Sequence, residues 1–369
     1  MGRVGVDRAM GGLAAAAWRE VGADGALGAP EPHPADLSFE RLRDLYRLMA
    51  VGRRIDRQAI TLTRQGFLGV YSSSLGQEAS QVGPVLALED RDWLFPTYRD
   101  MVAVFARGVD PVEILALYEG RRHNGYDPQL RRTAPLSVPL ATQAPHAVGL
   151  AAAALRRGDG IVVLALLGDG ATSEGDAHEA MNMAGVLGAP CIFLVQNNQY
   201  AISVPLRLQT RTSAIALRAA GVGIRGIQVD GNDAVSVHCA VRSAVELARQ
   251  GGGPTLVEAL TYRMEAHTTA DDPTRYRSHE EVDRWRDRDP LERLAGLLRR
   301  HRVIDTAFIE AADQEGERVA SRMRSALQGA SPPDPLTMFD HVYARPTELL
   351  LRQRAECAAI LEAESEAGR

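Results

Sequence analysis

Four short and almost purely apolar runs recur in the middle of this chain: IVVLALL at 161–167, CIFLVQ at 191–196, IQVD at 227–230 and TLVEAL at 255–260. Stretches with helical patterning separate them. Strands with one wet face alternate apolar and polar residues, whereas runs this uniform need cover on both faces. Buried strands alternating with helices predict an α/β domain: a parallel sheet with crossover helices on both sides. In such sheets ligands collect beyond the carboxyl ends of the strands. Two polar clusters, GDG at 168–170 and QNNQY at 196–200, fall at those ends.

Around this centre the pattern is helical. Leu42, Leu45, Leu48, Met49 and Ile55 recur at helix spacing between Phe39 and Gln65, with Ser38 as the entry cap. YSSSLGQE (71–78) opens a second helix, two short helical patterns lie between 92 and 120, and PLATQAPHAVGLAAAALRR (139–157) leads into a small-residue helix. Beyond 279 the chain is charged and helical, with LERLAGLLRRH and ELLLRQRAECAAILEAE as amphipathic stretches and SPPDP (331–335) as a connector. The expected organisation is a mobile Gly/Ala/Pro-rich tail over 1–36, an α/β domain over 37–278 and a helical region over 279–369 packed on it.

Composition narrows the chemistry. All 42 basic residues are arginine. Without lysine the chain can neither form a Schiff base nor carry a GxxxxGK[ST] phosphate loop. A net charge of −5 with no long basic run gives no electrostatic footprint for nucleic acid. Cys191, Cys239 and Cys357 lack disulfide or zinc spacing, and no run reaches the roughly eighteen apolar residues of a membrane span. A soluble, cytoplasmic protein is expected.

The stretch LLGDGATSE (166–174) contains a contradiction. A glycine turn after a buried strand brings backbone amides toward a phosphate, yet Asp169 would repel that anion. A divalent cation between the two reconciles them, because its charge inverts the local argument. Magnesium takes hard oxygen ligands, a few from protein and the rest from phosphate and water. Asn198 offers a carboxamide oxygen beyond the next strand, and the carbonyl of Tyr200 another. Gly168 and Gly170 permit close main-chain approach, and the amides of Gly170 and Ala171 can face a diphosphate. A dinucleotide fold is the rival; GDGATS fails GxGxxG at Ser173, and no ribose-binding acid follows the next strand.

GDG, 26 residues, then NN resembles the thiamine-diphosphate motif of transketolase-like enzymes. SEGDAHEAMNMA, QNNQYAIS, VDGND, LTYRMEAHTTADDPTRYRS and EEVDRW, in that order over about residues 38–360, resemble the alpha subunit of the decarboxylating first component of 2-oxo acid dehydrogenase complexes. The resemblance implies the thiamine-diphosphate-binding fold with C-terminal helices. It implies Asp169, Asn198 and the Tyr200 carbonyl as Mg²⁺ ligands, and Tyr98, Arg99 and His267 around the diphosphate, His267 being the active-site histidine. SVPLATQ (137–143) is similar to the branched-chain members: Val138 and Leu140 would accompany the cofactor, Leu140 against the aminopyrimidine. Ser137, Pro139, Thr142 and Gln143 would hold K⁺; a strand-to-helix turn with a Thr cap is the other reading of that segment.

The implied activity is thiamine-diphosphate-dependent oxidative decarboxylation of branched-chain 2-oxo acids, with acyl transfer to a lipoyl-bearing transacylase. A beta subunit would supply the pyrimidine pocket in an α₂β₂ assembly, with the helix at 147–155 and the C-terminal helices as contact surfaces or as internal core. A pyruvate-specific enzyme and a non-catalytic scaffold are the alternatives. Gln196 stands where some relatives have arginine, Thr268 where animal relatives have a regulatory serine, and the 120–136 segment is short, which leaves the role of His123 open.

Overall fold

The computed structural model describes residues 15–22, 26–34, 37–120, 124–329 and 334–367. Helix α1 (Phe39–Arg64) begins where the Ser38 hydroxyl accepts the Arg41 amide at 3.1 Å, filling one of the donors every helix start leaves open. Its apolar stripe, Leu42, Leu45, Met49, Ile55 and Leu62, is fully buried. Helices α2 (Glu78–Val85) and α3 (Met101–Ala106) follow, then α4 (Gln143–Arg157), α5 (Gly175–Leu187) and α6 (Ala234–Arg249).

The strands of the main sheet are β1 (Ala15–Glu20), β2 (Glu31–Pro34), β3 (Trp93–Phe95), β4 (Val163–Gly168), β5 (Cys191–Asn197), β6 (Arg225–Asp230) and β7 (Thr255–Leu260). They form one sheet in the order β2-β1-β6-β7-β5-β4-β3, parallel from β6 to β3. The four apolar runs are its centre, and their uniform hydrophobicity has the expected cause. Leu164, Leu166, Ile192 and Leu194 point into one core with α1, α2 and α6, while Val163, Ala165, Leu167, Phe193 and Val195 point into a second with α4 and α5. Successive strand residues face opposite ways, so both parities must be apolar. The small residues Ala147 and Ala151 of α4 are fully buried in that second core, and Ala154 is fully buried as well. This face of 147–155 is therefore internal packing.

Two expectations about organisation need correction. Residues 15–20 and 31–34, assigned to a tail, are strands: β1 pairs antiparallel with the edge of β6 and with β2, and Trp18 is buried. A sheet edge exposes unpaired amides and carbonyls, and β1 covers them. Nor does the chain divide at 279. Helices α7 (His279–Arg286), α8 (Pro290–Arg300) and α9 (Thr306–Gln328) follow that position. Leu294, Leu298, Ala312 and Met323 join the core of α1, and Arg53 on α1 reaches Asp289 at 2.8 Å. The compact units are 1–327 and 328–369. The second contains a short turn at Pro335–Phe339 and helix α10 (Glu348–Ala367).

Candidate active site

Strands β4 and β5 pair so that Gly168 lies opposite Gln196, which brings the GDG turn beside the NNQY turn. A cavity of about 380 Å³ opens there. Its wall includes Tyr98, Arg99, Ser137, Pro139, Leu140, Gln143, Gly168, Asp169, Gly170, Ala171, Asn198, Tyr200 and His267. Val138 is exposed and Thr142 half-buried, and neither is on that wall; Thr142 sits at the N-cap of α4 without making a side-chain cap bond. His123 lies outside the described residues.

The two glycines of GDG do different work. A Cβ on Gly168 would meet no protein atom within 4 Å, so the space beside it belongs to the cavity. A Cβ on Gly170 would come within 2.7 Å of the Ala201 methyl; this glycine lets the 199–205 loop close onto the turn. Ala141, Gln199 and Ile202 hold left-handed backbone around the same cavity (φ 63°, 76° and 56°). Such conformations cost energy and persist where surrounding structure enforces them.

Asp169 is 1% exposed, and burial raises the pKa of its carboxyl above the ordinary value, opposed by a 2.7 Å hydrogen bond from Gln209 Nε2 to Oδ2. Asn198 donates its Nδ2 to Gln77 Oε1 at 3.0 Å, which turns its carbonyl oxygen away from that partner. Arg263 is fully buried: Nη1 donates to the Tyr200 carbonyl at 3.1 Å and Nη2 to the Ile202 carbonyl at 2.6 Å. Burial, then the neighbouring Arg99, lowers its pKa.

Arg99 donates Nη1 to the Ser73 carbonyl at 2.9 Å, and Nη2 to both the His267 carbonyl (2.9 Å) and His267 Nδ1 (3.0 Å). A guanidinium has five N–H donors, so two remain for a ligand. Because Nδ1 accepts, the proton of neutral His267 sits on Nε2. Burial, then Arg99 and Arg263, drives the His267 pKa down to about 3, and the imidazole is neutral at physiological pH. The Asp271 carboxylate accepts the His267 amide at 2.8 Å and fixes the loop. Gln196 donates to Asp100 at 2.6 Å and accepts from Ser80 at 3.2 Å.

Buried side-chain atoms without a protein partner cluster on this wall: the donors Gln77 Nε2 and Arg263 Nε, and the acceptors Gln143 Oε1 and Gln209 Oε1. Buried polar groups ordinarily have partners. Orphaned donors and acceptors together suit a ligand that brings anionic oxygens and a cation. Among the described residues there is no group of three or more His, Cys, Asp or Glu able to hold a metal. One carboxylate, one carboxamide and one carbonyl, completed by phosphate and water, is a set suited to magnesium. The sequence reading missed Gln77, Gln209 and Arg263. Only Arg263 carried a signal, as a charged residue three positions after a buried strand and four before the histidine.

Comparison with known proteins gives the family of the chain. Residues 46–332 match the model of the dehydrogenase E1 component. The chain is 45% identical, over 92% of its length and 93% of the relative's, to the 3-methyl-2-oxobutanoate dehydrogenase subunit alpha of Mycobacterium tuberculosis. It is 38% identical, over 79% of its length and 82% of the relative's, to the pyruvate dehydrogenase E1 component subunit alpha of Staphylococcus aureus. A strand-end cavity with an acid, an amide and a neutral histidine on its wall, in a chain matched over most of its length, leads to one assignment: the chain belongs to the dehydrogenase E1 component family.

Proposed function

We propose that this chain is the alpha subunit of a branched-chain 2-oxo acid dehydrogenase, decarboxylating acids of the 3-methyl-2-oxobutanoate type with thiamine diphosphate and Mg²⁺. The observation that carries the reading is the strand-end cavity, which joins Asp169, Asn198, Arg99 and His267 and holds unpartnered donors and acceptors together. The greater identity to the 3-methyl-2-oxobutanoate enzyme than to the pyruvate enzyme, 45% against 38%, favours the branched-chain substrate. When bound, thiamine diphosphate supplies the carbon that attacks the oxo group and accepts the electron pair released with carbon dioxide.

This chain's residues do the rest. Asp169, the Asn198 carboxamide and the Tyr200 carbonyl would hold Mg²⁺, with the amides at Gly170 and Ala171 toward the diphosphate. The two free donors of Arg99 and the orphaned Gln77 Nε2 add positive character there. Neutral His267 presents a proton on Nε2, suited to donate a hydrogen bond to an acyl oxygen or to the incoming lipoyl sulfur. Gln143 Oε1, a buried acceptor without a donor, supports a K⁺ beside it, with Ser137, the Pro139 carbonyl and Thr142 as further ligands.

A beta subunit would close the cavity and complete an α₂β₂ enzyme, and a lipoyl-bearing transacylase would take the acyl group. Leu140, Ile202, Val204 and Leu208, all exposed and all on the cavity wall, support a partner surface at its mouth. The cytoplasmic setting is carried over from the sequence. Co-expression with the beta subunit, followed by decarboxylation assays on 3-methyl-2-oxobutanoate, 4-methyl-2-oxopentanoate and pyruvate, tests the reading. Preference for the branched acids is expected; faster turnover of pyruvate would give the acetyl-transferring enzyme instead. Failure to take up thiamine diphosphate with ample Mg²⁺ would leave only a scaffold.

A further inference from the structure

The loop that begins at Asn198 and Tyr200 folds back on the GDG turn and ends at Gln209. Its return is stapled by the Leu206 amide donating to the Gln199 carbonyl at 2.9 Å, and the missing Cβ of Gly170 lets Ala201 close in. At its far end Gln209 Nε2 donates to Asp169 Oδ2 at 2.7 Å and to the Val204 carbonyl at 2.9 Å. The amide group is thereby held from both sides: by the acid it serves, and by the loop that carries it. Gln209 Oε1 is buried on the cavity wall with no donor in the protein. Something with a hydrogen to give completes it, and a water bound to a divalent ion has one.

The geometry points to Gln209 as a positioning residue for the cation site: its Nε2 fixes one carboxylate oxygen of Asp169 so that the other faces the ion, and its Oε1 accepts from water on that ion. This rests on Asp169 being a cation ligand, and the nearest alternative is that Gln209 only staples the loop. The two differ in what they move. A staple affects the stability of the loop with or without metal. A partner that orients a ligating carboxylate affects ion affinity, by about 10–100-fold when removed.

The test uses the alpha chain assembled with its beta subunit, thiamine diphosphate and Mn²⁺ as probe, with free Mn²⁺ counted by electron paramagnetic resonance. Gln209→Leu keeps the bulk and removes both polar atoms. Its Mn²⁺ dissociation constant is expected to rise about 10–100-fold, a larger loss than any fall in the melting temperature of the metal-free assembly accounts for. Gln209→Ala gives the same rise if the added leucine methyls disturb folding. Parent-like Mn²⁺ affinity in the variant that folds, or a fall in metal-free stability that accounts for the whole change, overturns the inference. Asp169→Ala separates the two levels. Ion uptake surviving that change removes Asp169 as a ligand and the inference with it, whereas ion uptake lost there but unchanged at Gln209 sinks the inference alone.

Discussion

Gly168→Ala isolates the cavity from the fold. The added methyl meets no protein atom within 4 Å, and glycine within a strand is less stable than alanine by roughly 0.5–1 kcal/mol. Unfolding stability should therefore stay level or rise slightly. The methyl instead occupies the space at the end of β4 where a diphosphate would approach the main chain. Forcing an extra methyl into a close contact costs roughly 1–3 kcal/mol. Calorimetric titration of the assembled enzyme with thiamine diphosphate and Mg²⁺ should show that loss, beside an unchanged urea midpoint. Gly170→Ala is the contrast. Its Cβ would lie 2.7 Å from the Ala201 methyl, well inside the carbon–carbon optimum of about 3.5–4.0 Å. Overpacking of this kind costs roughly 1–3 kcal/mol, so stability and binding should fall together. If Gly168→Ala binds the cofactor like the parent, the open space beside that glycine is not the diphosphate site, and the reading of the strand ends is wrong.

Arg53→Met should destabilise the chain by about 3–5 kcal/mol, because it strands the fully buried Glu78 carboxylate, 2.7 Å from Arg53 Nε, and the Asp289 carboxylate at 2.8 Å; a urea midpoint implying under about 1 kcal/mol would refute this. Asp56 is buried, which raises its carboxyl from 3.8 to about 6 although Tyr71, Ser73 and Ser74 donate to it. The folded state thus holds a proton that the unfolded state has lost between pH 3.8 and about 6; the stability this contributes is present below that window and gone above it. The loss is about 3 kcal/mol. Asp56→Asn should gain about that much on the parent at pH 8 relative to pH 3.5, and an equal difference at both pH values would contradict it. For His267 the sign is opposite: its pKa is depressed to about 3, so the stability of keeping it neutral is present above the unfolded value near 6.5 and lost as pH falls toward 3. Arg99→Met removes the guanidinium 3.0 Å from Nδ1, and histidine-labelled NMR should find the titration midpoint raised by about 1–3 pH units; an unmoved midpoint would show that burial alone sets it.

What the amino-acid order revealed, and what it hid, follows from how far each interaction reaches. The central strands were legible because burial on both faces leaves a local mark, a run apolar at both parities. Strand β1 was not, because one tryptophan after a run of alanines is its only large apolar residue, and its partner β6 lies some two hundred residues away. The same division runs through the site. Asp169 could be read as a metal ligand because an acid inside a phosphate-type turn is a contradiction visible in nine letters. Arg99 and His267 are 168 residues apart, and singly each looks like an ordinary side chain; only resemblance joined them in the sequence. Nothing local marks Gln209 or Gln77, since their importance lies in reaching Asp169 across 40 residues and Asn198 across 121. Ligating residues tend to be legible because a ligand's charge demands unusual chemistry at one point in the chain. Gln209 and Gln77 are neutral amides whose chemistry is unremarkable until the fold sets them within 3 Å of an acid or an amide. A sequence therefore under-reports the outer half of a site, and for this chain that half is found by following each hydrogen bond outward from Asp169 and Asn198.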